Sequence, residues 1–204
     1  IAQKLLALNT DTEEGERQLL MLVEQDPLIS AKLISLSNAP ILGATRKITS
    51  IKDAAMLLGL KKIKSVATGI AMMSLKSRTS TGLLNLQDLW LHNLGIAFAM
   101  QAIVRAMPRN IRPADDQVFL AGMLHDLGKA ALPLDILNKP GKLTEEEFAV
   151  VRQHPQRGHQ MLLEARGASE SALEVCLHHH ERVDGRGYPH KLSGDQLTAK
   201  VCMD

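Results

Sequence analysis

The chain has 204 residues, with 24 basic and 22 acidic side chains, a net charge of +2 and 45% hydrophobic residues. That length allows one large domain or two small ones with a sizeable core, and the near-balance of charge argues against a general nucleic-acid binder or a membrane-surface protein. Cys176 and Cys202 have no CxxC partners, which argues against a disulfide framework or a thiolate zinc site and suits a reducing, cytoplasmic setting. No apolar run reaches the roughly 18–20 residues that span a bilayer, and no signal peptide is visible. The chain starts at Ile1 and stops mid-element at Val201-Cys202-Met203-Asp204, so it reads as a fragment of a longer protein.

The pattern is helical almost throughout. Asp11 with Glu14 has capping-box spacing ahead of Leu19, Leu20, Leu22 and Val23. Asp26-Pro27 starts a second helix, because proline suits the first helical position, and Ile29, Leu33, Ile34 and Leu36 follow near the 3.6 period. Ser50 with Asp53 opens a short helix that Gly59 ends, and 61–75 carries an apolar stripe of Ile63, Val66, Ile70 and Met73. A polar stretch at 76–85 is the hinge candidate. A long helix at 86–107 stops before Pro108, and another covers 115–128. Thr144 with Glu147 forms a capping box, Pro155 starts a helix to about Ala165, and 170–180 forms one more. Strand signals are weak. The expected fold is all-α, a helical bundle over 86–204 preceded by a smaller helical part over 1–80. Bulky aromatics are scarce, so Leu, Ile, Val, Met and Ala must fill the core.

Six of the eight histidines form a connected pattern. His125-Asp126 is adjacent in LAGMLHDLGKAAL; either group buried without a partner is costly, although a capped helix end would read the same way. His92 lies on the long helix with Asp88 one turn earlier. His154 precedes Pro155, and His178, His179 and His180 close the 170–180 helix ahead of Glu181. Neighbours on a helix point about 100° apart, so two adjacent histidines suit two metals, or one metal and a supporting group. Imidazole with carboxylate suits Fe, Mn, Zn or Ni. Asp126 is the candidate bridge between two metals, with a metal-activated hydroxide attacking phosphorus. Lys129 sits one turn after His125 and is the phosphate-binding candidate. Gly185, Gly187 and Tyr188 form a loop able to approach a ligand closely, flanked by Arg182 and Arg186, for which plain solvation is the competing reading. His159 reads as a surface or packing residue, His190 as a solvated loop residue, and His178 as a supporting or exposed group.

The run HDLGKAALPLDILNKPGKLTEEEFAVVRQHPQRGH followed by HHERVDGRGYP resembles the HD-GYP domain, a subgroup of the HD metal-dependent phosphohydrolases, over about 88–204. The order HD-x-x-K, KPG, HP-x-x-G, HHE-x-x-DG-x-GYP is specific. The resemblance implies a bacterial signalling phosphodiesterase that hydrolyses cyclic di-GMP with two or three divalent metals, iron or manganese foremost. Its implied ligands are His92, His125, Asp126, His154, His179 and His180, with Lys129 on phosphate and Asp88 supporting a third metal. The family closes its ligand set with an Asp after the GYP loop. The usual spacing lies beyond Asp204, which takes that place only if residues are deleted after Leu197. The segment DPLISAKLISLSNAPILGATRKITSIKDAAMLLGLKKIKSVA resembles the opening of the HDOD domain, through its Asp-Pro start, the Ser37-Asn38 step and the helix end at 55–59. HDOD domains are HD relatives that usually lack the metal ligands and act in signalling. Two alternatives therefore stand beside the phosphodiesterase: a non-catalytic signalling or scaffold module, which binds protein partners or a second copy, and an HD phosphohydrolase for another nucleotide.

Overall fold

The computed structural model describes residues 1–77 and 86–197. Residues 78–85 of the hinge candidate, Cys202 and Asp204 lie outside them. The expected all-α class holds: eleven α-helices and three short 3-10 turns occur among the described residues. The extended backbone there makes a single antiparallel bridge, Asp184 with Ser193. The chain divides into two compact units, Ile1–Ala71 and Met72–Asp204.

The first unit contains α1 (Ala2–Ala7), α2 (Glu13–Glu24), α3 (Pro27–Ser37), α4 (Ile51–Leu58) and most of α5 (Leu60–Ser77). Their starts are set by local chemistry. The Asp26 carboxylate accepts from the amides of Leu28 and Ile29, and Pro27 occupies the first turn of α3. The Ser50 hydroxyl caps the Asp53 amide and donates to Asp53 Oδ2. At α2 the cap is Thr12, which accepts from the Gly15 amide, and not the expected Asp11. The Asp11 amide instead bonds to the Asn9 side chain, which leaves Asp11 outside the helix. The core is aliphatic, built on Leu5, Leu19, Val23, Ile29, Leu33, Ile51, Ile63, Val66 and Ile70. Asn38 closes α3 and holds the loop before α4: its side chain donates to Ile34 O and Ile48 O and accepts from the Ile48 amide.

The second unit contains α6 (Leu86–Ala106), α7 (Asp115–Leu124), α8 (Leu134–Leu137), α9 (Glu145–Val151), α10 (His154–Ala165) and α11 (Glu170–His178). Its core joins α6, α7 and α11 through Met100, Val104, Val118, Ala121, Ala172 and Val175. Aromatic packing contributes more than the composition suggests, since Phe119 is fully buried edge-on to Phe98. Asn93 ties α6 to the end of α7 by donating to Met123 O. The Thr144–Glu147 capping box forms as expected. The helix expected over 115–128 stops at Leu124 instead. A 3-10 turn, Leu127–Ala131, follows, with the Lys129 amide bonded to Asp126 O. Asp126 stands between them at φ −95°, ψ 12°, the bridge region that active-site residues often occupy.

One crossing places this turn against α10. A Cβ on Gly128 would lie 1.8 Å from His154 O, and one on Gly158 would lie 2.7 Å from Cys176 Sγ and 2.9 Å from the Gly128 amide nitrogen. Only glycine at both positions lets the strand of chain bearing Asp126 reach the first turn of α10.

Two outcomes follow. Gly128→Ala should lower stability by about 2 kcal/mol or more, the range for overpacking that a backbone neighbour cannot relieve; an unchanged urea midpoint would contradict the crossing. Asn38→Ala leaves the buried Ile48 amide and carbonyl unpaired and should cost about 2 kcal/mol in the same measurement.

Candidate functional site

Four elements of the second unit, three of them by their ends, bring one carboxylate and four imidazoles together. His92 comes from α6, His125 from the C-terminal cap of α7, His154 from the first residue of α10, and His179 from the cap of α11. All surround Asp126, whose side chain is 1% exposed; His125, His154 and His179 are buried as well, while His92 is half exposed.

Each buried ring is oriented by a carbonyl one turn earlier in its own chain. His125 Nδ1 lies 2.8 Å from Gly122 O, His154 Nδ1 2.8 Å from Val151 O, and His179 Nδ1 3.0 Å from Cys176 O. A carbonyl only accepts, so each Nδ1 carries the proton and donates it. In a neutral ring Nε2 is then a bare lone pair, the tautomer of a metal-ligating histidine. All three Nε2 atoms point at Asp126. The two carboxylate oxygens serve different rings: Oδ2 lies 3.4 Å from His92 Nε2 and 3.3 Å from His125 Nε2, whereas Oδ1 lies 3.2 Å from His154 Nε2 and 3.6 Å from His179 Nε2. Lys129 Nζ lies 2.6 Å from Oδ2.

The electrostatics keep the acid ionised and hold His179 and His180 below their ordinary values. Burial pushes the Asp126 carboxyl up, but the imidazoles of His125, His154 and His179, with Nε2 atoms 3.3, 3.2 and 3.6 Å from its oxygens, outweigh it and hold the group well below the usual carboxylate range. Burial holds His179 below its ordinary value, against the opposing effect of Asp126. Burial and the neighbouring His179 push His180 down to about 3. His154 Nε2 and His179 Nε2 are 3.1 Å apart, so at least one lacks a proton. Asp126 Oδ1, fully buried, has no hydrogen-bond partner. A buried oxygen faced by imidazole lone pairs is unfavourable unless a cation lies between them. The donor set meets that need: Asp126, His154, His179 and His180 can converge on one ion, and His92, His125 and Asp126 on another. The residues present therefore fit one or two divalent metals.

The other expected residues are placed less uniformly. Asp88 is exposed in the first turn of α6 and joins neither group. Lys129 reaches the carboxylate from the 3-10 turn rather than from a continued helix. Arg182 is exposed and pairs with Asp184, Nε to Oδ1 at 3.1 Å and Nη2 to Oδ2 at 3.0 Å. Arg186 is exposed, its amide bonded to the same carboxylate. Gly187 admits protein backbone rather than a ligand: a Cβ there would lie 2.4 Å from Glu181 Cα and 2.5 Å from His180 O. Tyr188 stacks on His180 at 4.6 Å and 20° and so forms a wall of the site.

Two residues escaped the motif reading. Glu181, 8% exposed, accepts from the amides of His190 at 2.5 Å and Leu192 at 2.9 Å and so fastens the loop that carries Tyr188. A carboxylate directly after three helix-end histidines was the signal, because a buried acid needs donors. Arg152 lies over the Phe148 ring at 4.4 Å and within 5.9 Å of the Tyr188 ring, adding a cation at that wall.

Comparison with known proteins finds phosphodiesterase relatives over part of the chain and the HDOD family over most of it. A cyclic di-GMP phosphodiesterase of Pseudomonas aeruginosa is 48% identical over 114 residues, which is 56% of this chain and 27% of that protein. A 3'3'-cGAMP-specific phosphodiesterase of Vibrio cholerae serotype O1 is 42% identical over 83 residues, 40% of this chain and 16% of that protein. The chain thus spans about a quarter or less of these relatives. The crystal structure of an HDOD domain protein of unknown function from Geobacter sulfurreducens is 26% identical with a TM-score of 0.63, covering 88% of this chain and 62% of that one. The HDOD domain family matches residues 1–177, across both units, and the chain belongs to that family.

Proposed function

We propose that the second unit carries a dinuclear, metal-dependent phosphodiesterase site of the HD-GYP type, acting on a cyclic dinucleotide such as cyclic di-GMP in bacterial signalling. The observation that carries the reading is the division of Asp126, one oxygen toward His92 and His125 and the other toward His154 and His179. That is the arrangement a carboxylate needs to bridge two cations. Relatives named as phosphodiesterases for cyclic di-GMP and for 3'3'-cGAMP support the substrate class. The HDOD match ends at residue 177, and His179, His180 and the Tyr188 loop follow it, so the donors that complete the set lie past the family boundary.

Two divalent metals of the iron or manganese class, held by His92, His125, Asp126, His154, His179 and His180, would supply Lewis acidity and an activated water at neutral pH. The protein's own groups do the rest. The backbone carbonyls behind His125, His154 and His179 fix the tautomers, so no side chain must lose a proton for its ring to serve as a donor. Lys129 places a positive charge beside Asp126, where a phosphodiester's oxygens would be neutralised. Tyr188, backed by His180, offers a flat face for a nucleobase. Asp88 as support for a third metal, Asp204 as a closing ligand, and Arg182 and Arg186 as phosphate contacts remain further parts of the proposal.

The family assignment over residues 1–177 favours a second reading, a signalling or scaffold module that binds nucleotide or protein without turnover. Incubating the purified protein with cyclic di-GMP, 3'3'-cGAMP and an unrelated nucleotide, in Mn2+ or Fe2+, separates the readings. The first reading expects a linear dinucleotide product from a cyclic dinucleotide. Metal-loaded protein without turnover would overturn it in favour of the second, and turnover of the unrelated nucleotide alone would overturn the substrate class.

Asp126→Asn should reduce turnover and metal affinity by about a hundredfold or more while leaving helical circular dichroism unchanged, because the amide keeps the shape and loses the bridging charge. Lys129→Ala should instead raise KM for the cyclic dinucleotide with metal content retained.

A further inference from the structure

A second cluster of donors lies beside the Asp126 centre without sharing a residue with it. His178 ends α11, Glu181 follows the helix, and His190 lies in the loop beyond Tyr188; one ligand atom from each falls within 4.8 Å of the others. The His178 and His190 rings are 5.3 Å apart and tilted by 56°. His178 Nδ1 is buried and has no hydrogen-bond partner. Glu181 is buried, and its two oxygens are already aimed by the amides of His190 and Leu192, which occupy one lone pair on each and leave the others. A buried imidazole nitrogen without a partner, on a ring grouped with a fixed carboxylate and a second imidazole, calls for an explanation that a bound cation would supply.

We propose that His178, Glu181 and His190 bind a further divalent cation of the zinc class, which clamps the Tyr188 loop onto the end of α11. Two imidazoles and a carboxylate are a zinc donor set that leaves a fourth position for water. Donors around tetrahedral zinc lie about 3.4 Å apart, so ligand atoms within 4.8 Å of one another need close by no more than about 1.4 Å. His190 is exposed and can swing inward while its amide stays on Glu181. The clamp fixes the wall against which Tyr188 and His180 stack, and is separate from the chemistry at Asp126.

The test is zinc titration of the metal-free protein, with bound zinc counted by elemental analysis after desalting. His190→Ala removes an exposed loop side chain and His178→Gln removes the buried nitrogen; each should bind one equivalent fewer than the unaltered chain, with unchanged helical circular dichroism. If the Asp126 centre takes no metal, the unaltered chain binds one equivalent and His190→Ala binds none, so failure of that centre is distinguishable from failure of this one. Unchanged zinc content in His190→Ala, or a loss of more than one equivalent, overturns the proposal.

Discussion

The second unit is organised around a buried carboxylate whose neighbours offer lone pairs rather than protons. Asp126 sits away from water, and His125, His154 and His179 have spent their Nδ1 protons on carbonyls of their own helices. An ordinary buried acid is satisfied by donors, and here Lys129 is the strongest one on Oδ2, while Oδ1 has none. A divalent cation between the groups would satisfy both the carboxylate and the lone pairs. The ends of α7, α10 and α11 converge at one point with His92 of α6, and the Gly128–Gly158 crossing allows the final approach.

Much of this was legible in the sequence because it is local. Asp26, Ser50 and Thr144 cap helices through groups two or three residues away, and each does so here. The histidines stood out by residue type, and the structure gathers five of the six, His92, His125, His154, His179 and His180, around Asp126, with His178 in a separate group. The misses have equally specific causes. Asp11 and Thr12 are adjacent candidates for one cap, and only the competing Asn9 side chain decides between them. Apolar periodicity does not register the tightening into a 3-10 turn, so it extends the helix through Asp126, where α7 ends at Leu124. The roles of Gly128, Gly158 and Glu181 depend on segments distant in sequence or on backbone donors, and no local pattern encodes them. Asp88 and Arg182 have the expected charge, but what each one meets is set by the fold.

The family assignment and the site together describe a chain with two sources of likeness. HDOD membership rests on residues 1–177 and spans both compact units. The likeness to cyclic-dinucleotide phosphodiesterases covers a smaller share of the chain. The residues after 177 supply His179, His180, Glu181 and Tyr188, so the chemical reading depends on a short stretch outside the family match. Glu181 makes that stretch a built structure, since it ties the loop to the helix end that carries the donors.

The central claim is that Asp126 bridges two metal ions. Low-temperature electron paramagnetic resonance of the protein loaded with two equivalents of Mn2+ tests it most directly, because exchange through a shared carboxylate couples the two spins. The account predicts the multiline signal of a coupled pair, lost when Asp126 is replaced by Asn. Only the six-line signal of isolated Mn2+, at any loading, would contradict it.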